Sequence, residues 1–93
     1  MVTVLKFFST LRASINLKSM ELDIESPVTM REILFLACQK AGVDFIDELL
    51  DNNRIKKGTL LLLDGKNVIH MQGLDTIIPP GSTVSCFPPS GGG

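Results

Sequence analysis

Ninety-three residues, 44% of them hydrophobic, with a formal net charge of −1, describe one small domain able to fold alone. That charge balance offers no basic excess to neutralise a phosphate backbone, which argues against nucleic acid as a partner. No apolar run approaches the ~20 residues of a membrane span, and VTVLKFF at the start, broken by Lys6 and followed by no small-residue cleavage site, does not read as a signal peptide.

Val2 to Phe8 is rich in Val, Leu and Phe and predicts a strand. Thr3, Leu5 and Phe7 share one face; Val4, Lys6 and Phe8 share the other, and Lys6 marks that second face as the wet one. Phe8 is therefore a large aromatic where burial within the monomer is not expected. A polar turn is expected around Arg12 to Asn16. Ser19 to Glu25 then alternates Met20, Leu22 and Ile24 against Glu21, Asp23 and Glu25, a half-buried strand pairing with the first as a hairpin.

The main helix follows. Thr29 and Glu32 form a T-x-x-E capping box, and Val28 with Ile33 can form a hydrophobic staple. Met30, Ile33, Leu34, Ala37, Cys38 and Ala41 fall on one stripe at helical spacing, with Phe35 and Leu36 expected to pack at its edges. Gly42 supplies a left-handed C-cap. Phe45 to Leu50 reads as a short second helix. Asp44, Asp47, Glu48 and Asp51 precede a basic stretch, Arg54, Lys56 and Lys57; both read as solvated faces that can also steer a charged partner.

Thr59 to Leu63 predicts a strand that buries only half of its four leucines. Asp64-Gly65-Lys66-Asn67 is a hairpin turn, returning through Val68 to Met71. Turns at Gly73–Thr76 and Pro79-Pro80-Gly81 lead to the last strand, Thr83 to Phe87, with Val84 and Cys86 on one face and Ser85 and Phe87 on the other. Strands split by one long helix fit an α+β layer: a mixed sheet of about five strands with the helix across one face and a right-handed crossover. Placing the first and last strands side by side and parallel in the centre gives the β-grasp arrangement. The predicted organisation is a β-grasp domain over 1–87 and a flexible tail over 88–93.

Catalytic groups are scarce. Cys38 and Cys86 lie among apolar neighbours without a CxxC or His/Cys cluster, so no metal site is expected, and they read as buried free thiols of a reducing cytoplasm. His70, the single histidine, has no Asp, Cys or Ser at a motif spacing. The chain shows no nucleophile–base pair and no phosphate loop.

LKFFSTLR near the start, the helix after a Thr cap, and a last strand running VSCFPP towards Gly-Gly together resemble the ubiquitin-like sulfur carriers, nearer to the small subunit of molybdopterin synthase (MoaD type) than to the thiamine-pathway carrier (ThiS type). The specific part is an FPP-x-x-Gly-Gly ending: Phe87, Pro88 and Pro89 match its opening, Gly92 and Gly93 its close, and Ser90 and Gly91 fill the variable pair. The chain departs from the family between Phe45 and Lys57, which is longer than usual.

The resemblance implies that Gly93 carries the chemistry. An adenylyltransferase of the ubiquitin-activating type would activate its carboxylate with ATP. A persulfide donor would convert it to a thiocarboxylate, and the large subunit of molybdopterin synthase would pass the sulfur to the precursor of the molybdenum or tungsten cofactor. The carrier would bind no cofactor and catalyse nothing alone. Gly92 and Gly93 have no Cβ to crowd a narrow channel. Phe8, Phe87, Pro88, Pro89 and Gly91 would meet the partners, the prolines launching the tail away from the domain. Three alternatives stay open: a protein modifier joined to lysines through Gly93, a carrier serving thiamine, cysteine or thiolated-tRNA synthesis, and a plain interaction module.

Overall fold

The computed structural model describes residues 1–89 of the chain. In chain order it holds β1 (Val2–Phe7), α1 (Thr10–Ile15), β2 (Ser19–Asp23), β3 (Val28–Thr29), α2 (Met30–Ala41), α3 (Ile46–Leu49), β4 (Leu50–Asp51), β5 (Arg54–Ile55), β6 (Leu60–Leu63) and β7 (Lys66–Asn67). Two 3₁₀ turns, Val68–His70 and Gly73–Asp75, then precede β8 (Ile77–Ile78) and β9 (Thr83–Phe87). The main sheet runs β2-β1-β9-β6-β7, with β1 and β9 parallel at its centre and their other pairings antiparallel. This is the β-grasp expected from the pattern.

The period-2 reading decides which side of each strand is wet. Thr3, Leu5 and Phe7 of β1, Leu61 and Leu63 of β6, and Val84 and Cys86 of β9 all face the core, whereas Lys6 and Leu60 are exposed and Leu62 and Phe87 half-buried. Against the core side lies α2, burying Met30, Ile33, Leu34 and Ala37. Each large side chain so buried is worth roughly 1.5–3 kcal/mol of transfer free energy. Phe45, just ahead of α3, closes the core edge-on to Phe7, with ring centroids 5.6 Å apart.

The Thr29 hydroxyl accepts the Glu32 N–H at 3.1 Å, as a capping box requires. The Glu32 carboxylate answers by accepting from that hydroxyl, at 3.2 Å. Gly42 ends the helix at φ 72° and donates to the Cys38 carbonyl.

Four local expectations need correction. Arg12 to Asn16 is not a polar turn, because Thr10–Ile15 is helical: Leu11 and Ile15, four apart, bury together, and Asn16 caps the end in the left-handed region. Phe35 and Leu36 do not pack at the edges of the helix stripe; Phe35 is 56% and Leu36 36% exposed, since the sheet covers only one side of α2. The return from the Asp64-Gly65 turn pairs for only two residues before Val68 winds into a 3₁₀ turn that buries its side chain. Finally, Val28–Thr29 and Ile77–Ile78 form a second small antiparallel sheet, and Leu50–Asp51 with Arg54–Ile55 a third, at segments read as loop or helix. Two-residue strands carry too short a period to be legible.

Candidate functional site

The last strand sets the position of the site. β9 lies between β1 and β6, so its exit is held on both sides: Phe8 N–H donates to the Cys86 carbonyl at 3.2 Å, and Leu60 is the register partner of Phe87. The outward side chains around that exit are Phe8, Phe87, Leu60 and Leu62. Phe8 and Phe87 stack face to face, with centroids 4.1 Å apart and planes 7° from parallel. The Arg12 guanidinium lies over the Phe8 ring, 5.1 Å from its centre, while its Nε donates to the Phe7 carbonyl at 2.7 Å.

Both rings are therefore half-buried, contrary to the expectation that Phe8 would find no burial in the monomer. They do share the Lys6 side of the sheet, as expected, and the edge of the stack continues into Leu60, 42% exposed. The result is one apolar ridge along the outer sheet face, ending where β9 leaves it.

Beyond Phe87 the chain stays packed for two residues. Pro88 is buried and Pro89 half-buried. A Cβ placed on Gly58, whose φ is +90°, would lie 3.5 Å from the Pro89 Cβ. Pro88 thus contributes its ring to the domain and can offer partners little beyond its backbone. Thr59, between Gly58 and Leu60, is buried, and its hydroxyl has no hydrogen-bond partner among the described residues. The expected site residues Gly91, Gly92 and Gly93, and the rest of the tail after Pro89, lie outside the described residues.

Arg12 and Gly58 were not singled out from sequence. The signal for Arg12 was its position four residues after Phe8, legible only once Thr10–Ile15 is known to be helical. For Gly58 there was no signal, because its role depends on a spatial neighbour thirty-one positions away, as Gly58 to Pro89 counts.

The two thiols differ in access. Burial pushes the Cys86 thiol up to about 12. Cys38, half-buried on α2, is raised mainly by burial as well, opposed by hydrogen bonds from the Phe45 and Ile46 backbone. Neither is poised as a thiolate nucleophile. Among the described residues no group of three or more His, Cys, Asp or Glu side chains is placed to hold a metal ion, and no helix is long and apolar enough to cross a membrane. Among the described residues the arrangement offers a central strand held on both sides, with an apolar ridge at its exit.

Comparison with known proteins decides the family. The chain is 30% identical over 90 residues to small archaeal modifier protein 3 of Haloferax volcanii, an alignment covering 96% of each protein. The chain belongs to the ubiquitin-like family of small archaeal modifier and sulfur carrier proteins. It is also 31% identical over 83 residues to a candidate sulfur carrier of Archaeoglobus fulgidus, covering 89% of this chain and 93% of that one. The crystal structure of SAMP1 from Haloferax volcanii superposes with a TM-score of 0.80 over the full length of both chains, at 17% identity, and so shares the fold. No family model matches the chain.

Proposed function

We propose that this carrier-family protein delivers sulfur through Gly93 in synthesis of the molybdenum or tungsten cofactor, within the cytoplasm. The observation that carries the reading is the FPP-x-x-Gly-Gly ending on a strand clamped at the centre of the sheet beside an apolar ridge. A carboxylate is a poor electrophile. A partner adenylyltransferase corrects this by letting a Gly93 carboxylate oxygen attack the α-phosphorus of ATP, with pyrophosphate leaving. The outer sulfur of a persulfide donor then attacks the acyl carbon and displaces AMP. Thiol cleavage of the remaining S–S bond leaves the thiocarboxylate on Gly93 and a disulfide on the donor side. The large subunit of molybdopterin synthase would accept the loaded tail, with Phe8, Phe87 and Leu60 as the docking ridge. ATP serves the partner enzyme; this chain needs no bound cofactor for its part.

A second reading has its own support. The 30% identical relative carries the name of a modifier protein, and conjugation to lysine uses the same activated Gly93. The two share the first step and part at the acceptor, sulfur or amine.

The test is pyrophosphate exchange with the adenylyltransferase of the same host. Wild type should support exchange, and a variant with one alanine appended after Gly93 should not, while keeping its fold. Normal exchange by the extended variant would refute the role of Gly93. Intact mass of the protein from its host separates the readings: exchange of one oxygen for sulfur supports the carrier, and isopeptide-linked conjugates the modifier.

A further inference from the structure

The segment from Leu50 to Gly58 is folded, yet presentation of the tail gives it no task. β4 and β5 form a hairpin whose tip, Asn52 and Asn53, sits in the left-handed region at φ 51° and 64°. Arg31 on α2 fixes that tip by donating to the Asn53 side-chain oxygen at 3.3 Å. Past the hairpin, Lys56 N–H donates to the Leu49 carbonyl at 2.8 Å and Thr59 N–H to the Lys56 carbonyl at 3.0 Å, so the basic stretch is held in shape. Arg54, Lys56 and Lys57 line one open groove of about 510 Å³, with Asp51 as its single carboxylate.

These cations are not neutralised. Among the described residues the ion pairs join the N-terminal ammonium to Asp23 and Glu25, and none involves Arg31, Arg54, Lys56 or Lys57. Their position is also specific. Lys57 directly precedes Gly58, which meets Pro89 at the root of the tail. From Pro89 the four remaining residues span at most about 14 Å. Any enzyme that takes Gly93 into its active centre must approach Pro89 that closely, and Lys57 is the chain neighbour of the glycine that meets Pro89. Charges within about 8–10 Å of an approaching surface still act through physiological salt.

We infer that the Arg54–Lys57 groove is a docking and steering surface for an acidic patch on the enzyme that activates the tail. The inference rests on the carrier reading for its choice of partner. Charge complementarity at the mouth of the tail raises the rate of encounter and orients it, without adding catalytic groups. An overall charge of −1 makes the local basic surface stand out against the rest of the molecule and disfavours a nucleic-acid backbone as its occupant.

The test uses the full chain and its adenylyltransferase. Two variants are compared with wild type: Arg54→Gln/Lys56→Gln/Lys57→Gln and Arg54→Glu/Lys56→Glu/Lys57→Glu, each checked for fold by amide spectra. Stopped-flow association at low salt should slow about tenfold for the neutral variant and more for the reversed one, with the gap closing as salt rises. Pyrophosphate exchange at saturating carrier should be unchanged, because Gly93 is untouched. Association rates and salt dependence equal to wild type, with wild type active in exchange, would overturn the inference alone. Absence of exchange with wild type would overturn it together with the carrier reading. Unchanged association combined with loss of binding to single-stranded RNA would assign the groove to nucleic acid instead.

Discussion

The Phe8–Phe87 stack holds two half-buried rings together and, in the proposed function, belongs to the docking ridge; a double-mutant cycle in stability together with binding calorimetry separates these roles. Removing the Phe87 ring gives up the half-buried area of one aromatic, about half of the ~1.5–3 kcal/mol for full burial. It also removes the stacking itself, centroids 4.1 Å apart and nearly parallel, worth about 0.5–1.5 kcal/mol beyond area. Phe87→Ala should therefore destabilise by about 2 kcal/mol, which for a domain of this size lowers Tm by roughly 8–16 °C. Phe8→Ala should cost a similar amount, less any contact that Arg12 keeps with the neighbouring carbonyl. The double variant should cost less than the sum, with a coupling of about 0.5–1.5 kcal/mol by urea denaturation. A coupling below about 0.3 kcal/mol would refute the stack as a source of stability. Calorimetry against the adenylyltransferase and the large synthase subunit then tests docking: Phe87→Ala should weaken at least one complex by about 1 kcal/mol or more. Unchanged affinity for both, with stability reduced, would leave the ring a purely structural element.

Two further outcomes follow from backbone strain and burial. Gly58→Ala should cost about 1–2 kcal/mol in thermal denaturation, because φ is +90° there; the added Cβ meets Pro89 at an ordinary 3.5 Å, so the loss comes from the backbone, and a neutral or stabilised variant would refute the assignment. For Cys86, burial raises the thiol from 9.0 to about 12, so the unfolded chain ionises first as pH rises. Its contribution is intact below about pH 9 and is lost towards pH 12, at about 1.4 kcal/mol per unit. Cys86→Ala should flatten the pH dependence of stability between about pH 9 and pH 11 relative to wild type, whatever its cost at neutral pH. Parallel slopes would show that the thiol is not desolvated as the packing indicates.

Local pattern determined much of this molecule. Alternation in VTVLKFF, SMELDIE and TVSCF assigned the inward face of three strands, and the Thr29 cap and Gly42 stop bounded the main helix, because each signal depends on neighbours within four residues. The leucine run shows the limit. All four side chains are equally apolar, and only pairing with β9 and a place in the core bury Leu61 and Leu63 while leaving Leu60 exposed. The family ending was legible because it is contiguous, from Phe87 to Gly93. What surrounds it was not. That Phe8 stacks on Phe87 and that Gly58 meets Pro89 are contacts between positions distant in the chain, created by the parallel β1–β9 pairing and its β6 neighbour, while Arg12 covers Phe8 because Thr10–Ile15 is helical. Composition read Arg54, Lys56 and Lys57 as a solvated face. Only the tertiary structure shows that they line one groove, and only the sheet brings Gly58, the neighbour of Lys57, to Pro89. Sequence records which residues are charged or apolar; where a charge acts depends on distances in space, and those are set by the sheet.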